Sequence, residues 1–264
     1  MRAAALLQQE GAEVLLSQQS RAFCEVPGAV YMPGNDCHRQ ADAVVTVGGD
    51  GTILHEAPLA MPWKKPILGI NVGRCGFLAT CEPDEMPEKL RRVAAGDYQL
   101  DARALLEARS PTAGWQEYAL NDVVVAKGPL QQTIDVEILC DDILVEHFCG
   151  DGVIVATPTG STAYSLAAGG PILDSQTKGM VLTPICPHSL YSPAMVFAPE
   201  RKLTVRMAGT AGQQAGVSCD GRTGRELHRD SGVEVTLSDE RVFLISFGRA
   251  DQFMAIDQKI RNRK

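Results

Sequence analysis

Three glycines surround one carboxylate in Val47-Gly48-Gly49-Asp50-Gly51-Thr52, directly after the apolar run Ala43 to Val47. Glycine at Gly48, Gly49 and Gly51 lets backbone approach a phosphate closely, and Thr52 adds a hydroxyl. Asp50 stands in the middle, where it can accept a proton or lie beside a metal. The chemistry this implies is phosphoryl transfer. The pattern G-x-x-x-x-G-K-[ST] occurs nowhere in the chain, so a nucleoside triphosphate must be held without a P-loop lysine. A tight glycine turn with no ligand is the structural alternative for these five residues.

A second constellation is the run GDGVIVATPTGSTAYSLAAGGPI, Gly150 to Ile172. Asp151 lies between Gly150 and Gly152. Thr157, Thr159, Ser161 and Thr162 offer hydroxyls, and Tyr164 an aromatic face at the predicted start of a helix. Small hydroxyl residues and backbone amides ahead of a helix can read the edge of a base and the hydroxyls of a ribose. The plain alternative is a Gly/Ser/Thr-rich loop between strands. Third, Asn121-Asp122 interrupts an apolar strand, as a bulge or as a ligand-facing amide and carboxylate. Asn71, the Gly73 to Phe77 turn, His188 and Asp220-Gly221 are weaker signals, of a kind that is usually structural.

The elements that must position these groups follow from periodicity and turn residues. Ala3 to Gly11 predicts a helix and Ala12 to Leu16 a strand, whereas Ser17 to Gln40, with Pro27, Pro33, Gly34 and Asn35, reads as irregular. Ala43 to Val47 is a buried-type strand, Ile53 to Ala60 a helix, Pro66 to Asn71 a strand and Pro83 to Ala95 a helix stopped by Gly96. Alternating strand and helix predict a small parallel sheet. From about Tyr98 the texture turns to strands, among them Leu105 to Ser110, Ala119 to Ala126, Ile134 to Cys140, Ile143 to Cys149 and Val233 to Leu237. Asp141-Asp142 forms a short turn between two of them. These predict a β-sandwich. Val242 to Phe247 finishes it or crosses back, and Gln252 to Lys264 reads as helical.

The whole chain sets bounds. Its 264 residues, 45% of them hydrophobic, allow one large or two modest domains with a sizeable core. A net charge of -7 argues against nucleic acid or an anionic membrane surface as partner. No apolar run reaches membrane-span length, and the polar residues Gln8, Gln9, Glu10 and Glu13 exclude a signal peptide. The eight cysteines show neither C-x-x-C nor zinc spacing and read as free thiols in a reducing compartment. No metal-ligating residue is assigned.

Read together, GGDGT, PILGINVGRCGFLAT, ALND, GDGVIVATPTGSTAYSLAAGGPI, LTPICPHSL and VSCDGR resemble the NAD kinases in type and order, from about Ala41 to near the C-terminus. The resemblance implies an α/β plus all-β fold. A Rossmann-like domain over 1–97 is completed by 248–264, and a β-sandwich NAD-binding domain covers 98–247. It further implies phosphorylation of the adenosine-ribose 2′-hydroxyl of NAD to give NADP, with ATP or polyphosphate as donor and Mg²⁺ or another divalent cation. A cytoplasmic homodimer or homotetramer is implied too. Asp50 corresponds to the base, and Gly48, Gly49, Gly51 and Thr52 to the phosphate-donor loop. Asp50, Gly51, Asn121, Asp122, Asp151, Thr162, Ala163 and Tyr164 correspond to NAD-binding positions.

Departures accompany the likeness. The family usually has Glu at Asp122, many bacterial members have Ser at Ala167 and Arg at Cys149, and Tyr191-Ser192-Pro193 replaces a basic loop. The first strand of the Rossmann-like domain is not found ahead of the Ala3 helix, which implies a shortened variant or a start assigned downstream. Two other functions remain: a lipid kinase of the diacylglycerol or sphingosine type, which shares GGDGT, and a dinucleotide-binding protein without catalysis. TPTGSTAYSL and PICPHSL, and the lack of a membrane-binding segment, weigh against the lipid kinase.

Overall fold

The computed structural model describes residues 1–73, 76–128, 132–189, 191–209, 214–222, 224–227, 229 and 231–248. The chain forms two compact units, one of Met1–Ala102 with the described residues from Val242 onward, the other of Arg103–Arg241. Both boundaries fall inside long strands, Gln99–Ser110 and Gly232–Ser246, rather than at the Gly96 turn or after Phe247. The predicted helix of Gln252 to Lys264, and with it most of the completing segment 248–264, lies outside the described residues.

In the first unit Val44–Gly48 pairs in parallel with Ile67–Asn71, which also pairs in parallel with the end of Gly232–Ser246 through Leu244 opposite Ile67. Ile67–Asn71 is buried throughout, as a mostly apolar strand in the middle of a parallel sheet should be. Leu68, Ile70, Met86, Leu90 and Ile245 form the core here. The helices are Arg2–Gln9, Gly34–Gln40, Asp50–Ala60 and Met86–Ala94. The last ends at Ala95 before Gly96, whose φ of +71° suits glycine.

The stretch Ser17 to Gln40 differs from the irregular reading. It holds a short 3₁₀ turn Gln18–Ala22, a strand Val30–Met32 parallel to Leu15–Ser17, and the helix Gly34–Gln40. Elements of three to seven residues carry too little periodicity to be read from sequence. Pro33, which looked like a turn residue, immediately precedes that helix, with Asp36 in its first turn and His38 and Arg39 in its last.

The second unit is built from antiparallel sheets. One runs Met195–Phe197, Met180–Ile185, Gly152–Ala156, Asp122–Lys127, Ala215–Cys219, Arg225–Leu227. In another the beginning of Gly232–Ser246 pairs with Leu203–Met207, then Ile134–Cys140, then Ile143–Gly150. Val125, Ile138, Val153, Leu182 and Val205 from both, with Leu106 of Gln99–Ser110, pack into one apolar core, the sandwich expected. Asp141 and Asp142, with φ of +49° and +68°, make the tight hairpin turn foreseen from the dipeptide.

Candidate active site

Asp50 is not in mid-loop. It is the first residue of the helix Asp50–Ala60, and Gly49, extended at φ -119° and ψ -164°, precedes it. A carboxylate suits the positive end of a helix dipole. Its oxygens reach further. Oδ2 accepts the amide of Phe77 at 2.7 Å, and Oδ1 accepts those of Leu78 at 2.9 Å and Ala79 at 3.1 Å. Asp50 therefore ties the helix start to the turn after the strand Ile67–Asn71. The glycine pattern supports that tie. A Cβ at Gly76 would stand 2.0 Å from Asp50 Oδ1, and one at Gly48 would stand 2.0 Å from Thr52 Oγ1. Gly49 and Gly51 face open space instead. The Thr52 amide donates to the Gly49 carbonyl at 3.0 Å, so it is already engaged in the turn. Asn71 closes the same region, donating to Glu82 at 3.1 Å and accepting from the Gly73 amide at 3.2 Å.

In the second unit another aspartate plays the corresponding part. Asp220 Oδ2 accepts the amide of Leu120 at 2.7 Å, and Oδ1 accepts those of Asn121 at 2.7 Å and Asp122 at 3.1 Å. The Thr157 hydroxyl donates to the Leu120 carbonyl at 2.6 Å, and its own oxygen accepts the Gly160 amide at 3.0 Å. Gly160 touches the chain so closely that a Cβ there would lie 2.0 Å from the Asn121 carbonyl oxygen. Backbone contacts thus hold the Leu120–Asn121 turn against Thr157 and Gly160, the turn that leads into Thr162, Ala163 and Tyr164. By sequence alone Asp220-Gly221 is an ordinary turn. The signal was the Asp-Gly pair after an apolar strand, with Asp220 at φ +52°.

Of the hydroxyls that the sequence offers to a ligand, Thr157, Thr159 and Ser161 turn inward, as does Ser165 beside them. Ser161 donates to Pro158 at 2.6 Å and accepts the Leu173 amide at 3.0 Å, and Ser165 bonds Thr183 at 2.8 Å. Thr159 Oγ1 accepts from the buried Arg103 at 3.2 Å. A buried hydroxyl must find such partners, so these residues shape the turn. Thr162 is half-buried and Tyr164 is 46% exposed, so both remain accessible.

Asp151 stands apart from Asp122. It follows the hairpin strand Ile143–Gly150 and pairs with Lys127 at 2.7 Å, whereas Asp122 faces Ala156 at the far end of the paired strands. Lys127 lies five steps along the strand from Asp122, roughly 17 Å at the usual rise. The two carboxylates cannot both hold one ribose within a single chain. Asp122 is buried, and that burial, with the charge of Asp220 behind it, pushes its carboxyl up to about 7. Burial also raises Asp220, against the pull of its three amide hydrogen bonds. His188 is exposed, its amide donating to the Cys149 carbonyl at 2.8 Å. Cys149 bonds Thr133 at 3.2 Å.

Among the described residues no group of three or more His, Cys, Asp or Glu is placed to hold a metal ion, and no helix is long and apolar enough to cross a membrane. Residues 33–98 match the ATP-NAD kinase N-terminal domain, and residues 120–247 the ATP-NAD kinase C-terminal domain. The chain belongs to the NAD kinase family. It is 39% identical over 225 residues to the NAD kinase of Heliobacterium modesticaldum, covering 84% of this chain and 79% of that one. With the NAD kinase of Natranaerobius thermophilus it shares 34% over 257 residues, covering 96% and 86%. Among solved structures, yeast NADH kinase complexed with NADH covers the whole chain at a TM-score of 0.89, with 22% identity over 84% of its own length. An Archaeoglobus fulgidus NAD kinase in complex with ATP aligns over 98% of this chain and 93% of its own, at a TM-score of 0.78 and 25% identity. Membership in the NAD kinase family makes the chain a phosphotransferase, and nothing in the sequence or structure favours the lipid-kinase alternative.

Proposed function

We propose that this NAD kinase transfers the terminal phosphoryl group of ATP to the adenosine-ribose 2′-hydroxyl of NAD. The 2′-oxygen forms the new bond to the γ-phosphorus, the bond from that phosphorus to the β,γ-bridging oxygen breaks, and ADP leaves. The hydroxyl proton goes to the Asp50 carboxylate. In-line placement and charge stabilisation carry most of such a reaction. The observation that supports Asp50 in this role is its rigidity: three backbone amides hold it in one orientation. Gly48, Gly49, Gly51 and Thr52 form the phosphate-donor loop at the helix start. Gly49 and Gly51 leave the open backbone there, while Thr52 contributes its hydroxyl more readily than its engaged amide. Asn121, Asp122, Thr162, Ala163 and Tyr164 bind the adenosine part of NAD, and Asp151 binds a different part.

Asp50, the carboxylate beside the donor loop, would be the group to meet a Mg²⁺ carried on the phosphates of ATP. That ion would supply charge screening at the transferred group. A cytoplasmic homodimer or homotetramer belongs to the same reading. NADP formation from NAD with ATP, and in parallel with polyphosphate, is the test. Product with either donor supports the assignment. Binding of NAD with no NADP from either donor points to the non-catalytic alternative, and phosphorylation of a diacylglycerol or sphingosine substrate but not of NAD overturns the reading.

A further inference from the structure

Arg103 is 6% exposed, and among the described residues it is the one basic residue that the fold buries. It lies on the strand Gln99–Ser110, where alternation puts it on the same face as the buried Leu105. A guanidinium at such a position is costly unless its N–H groups are met. An aliphatic side chain would fill the same space without that cost. What an arginine adds is a planar set of donors at fixed angles, which places whatever accepts from it.

One acceptor is the Thr159 hydroxyl, 3.2 Å from Nη1 and 56 residues further along the chain. Thr159 is itself buried and immediately precedes the 3₁₀ turn Gly160–Thr162. Its carbonyl oxygen accepts the Thr162 hydroxyl at 3.2 Å, so Thr162 is oriented through Thr159. The Ala163 amide then donates to the Gly160 carbonyl at 2.9 Å, and Tyr164 opens the short helix Tyr164–Ala167. Thr157 ties the start of this run to the Leu120 carbonyl at 2.6 Å, and Ser161 ties its middle to the Leu173 amide at 3.0 Å. The tie to Arg103 comes from a twelve-residue strand, a rigid element of the kind that places a site well.

We propose that Arg103 is a positioning residue for NAD, acting through Thr159. The guanidinium holds the Thr159 hydroxyl, the Thr159 carbonyl holds the Thr162 hydroxyl, and the turn presents Thr162, Ala163 and Tyr164 in one arrangement. A shift at Thr159 is passed to Thr162 and Tyr164 because they follow within five residues on the same tight turn. Asp50 takes its own hold from the Phe77, Leu78 and Ala79 amides. Loss of Arg103 is therefore felt in NAD affinity and little in turnover. The inference rests on the reading that Thr162, Ala163 and Tyr164 bind the adenosine part of NAD.

Initial rates on the full chain, with NAD and ATP varied separately and Tyr164→Ala alongside, test it. Arg103→Met removes the donors and should raise KM for NAD about 10-fold or more, as loss of a hydrogen bond to a charged group implies. Meanwhile kcat and KM for ATP should stay within about threefold, the mark of lost binding rather than lost chemistry. Arg103→Lys restores a donor without the planar fork and should recover part of the loss. Thr159→Val should raise KM for NAD likewise, and combining it with Arg103→Met should be no worse than the weaker-binding single variant. Should circular dichroism show that Arg103→Met does not fold, Arg103→Lys and Thr159→Val supply the same comparison. Folded variants with unchanged KM for NAD, while Tyr164→Ala raises it, overturn the proposal and leave the NAD site standing. An unchanged KM in all of them, Tyr164→Ala included, overturns the site and the proposal together. Effects that multiply in the double variant, or a fall in kcat with KM unmoved, overturn the positioning role.

Discussion

Gly76→Ala tests how the Asp50 carboxylate is held without changing its chemistry. The added methyl carbon would lie 2.0 Å from Oδ1, 2.7 Å from Cγ and 3.1 Å from Oδ2. None of the nearest two contacts is tolerable, so the carboxylate must retreat by about 1 Å or more. The retreat cannot be free, because the Phe77, Leu78 and Ala79 amides hold both oxygens. Hydrogen bonds to a charged group contribute about 1.5–3 kcal/mol each, and partial loss of three makes a destabilisation of about 2–3 kcal/mol a reasonable expectation. A displacement of that size in a proton-accepting group lowers turnover by about 10². Initial rates of NADP formation with saturating NAD and ATP measure the second effect. Circular dichroism and exchange protection at Phe77–Ala79 measure the first. A folded Gly76→Ala protein that turns over within about threefold of the parent would refute the view that this carboxylate must be held where it is.

Asp50→Asn should lower turnover by about 10²–10⁴ with little change in NAD affinity, and also loosen the Phe77–Ala79 turn, since one side-chain N–H must now face a backbone N–H. Unaltered turnover would remove Asp50 from the base role. Asp122→Asn addresses the buried carboxyl, pushed from 3.8 to about 7. Between those values the folded chain binds a proton that the unfolded chain has lost, so stability falls as pH rises through that window, by on the order of 4 kcal/mol in all. Urea unfolding from pH 4 to 8 should show that slope in the parent and a flatter one in the variant, which gains most above pH 7; parallel slopes would contradict it. Gly160→Ala forces a methyl against the Asn121 carbonyl and should cost about 1–3 kcal/mol and weaken NAD binding, as calorimetry would show. Tyr164→Ala should raise KM for NAD more than it lowers kcat, and an effect on kcat alone would exclude Tyr164 from NAD binding.

Local chemistry was legible in the sequence wherever a few adjacent residues settle it. A β-branched run ending in GGDGT leaves a strand and enters a helix, because glycines relieve the turn, but that the helix begins at Asp50 and not at Ile53 was not legible there. The run through TPTGSTAYSL likewise declares a tight turn, and the paired aspartates 141 and 142 declare a hairpin. Ser17 to Gln40 was not legible, since three-residue strands and a seven-residue helix have no period to read. Nor could composition say which hydroxyls of the Thr157–Ser165 run turn inward. Tertiary structure decided that, by placing the Leu120 carbonyl, Leu173 and Thr183 beside them. It also decided what the two organising aspartates do. Asp50 holds amides 27 to 29 residues further on, and Asp220 holds amides 98 to 100 residues back. A carboxylate in a sequence announces only that it can accept hydrogen bonds. Which distant amides it accepts depends on where the packed core brings the backbone, and no local pattern encodes that.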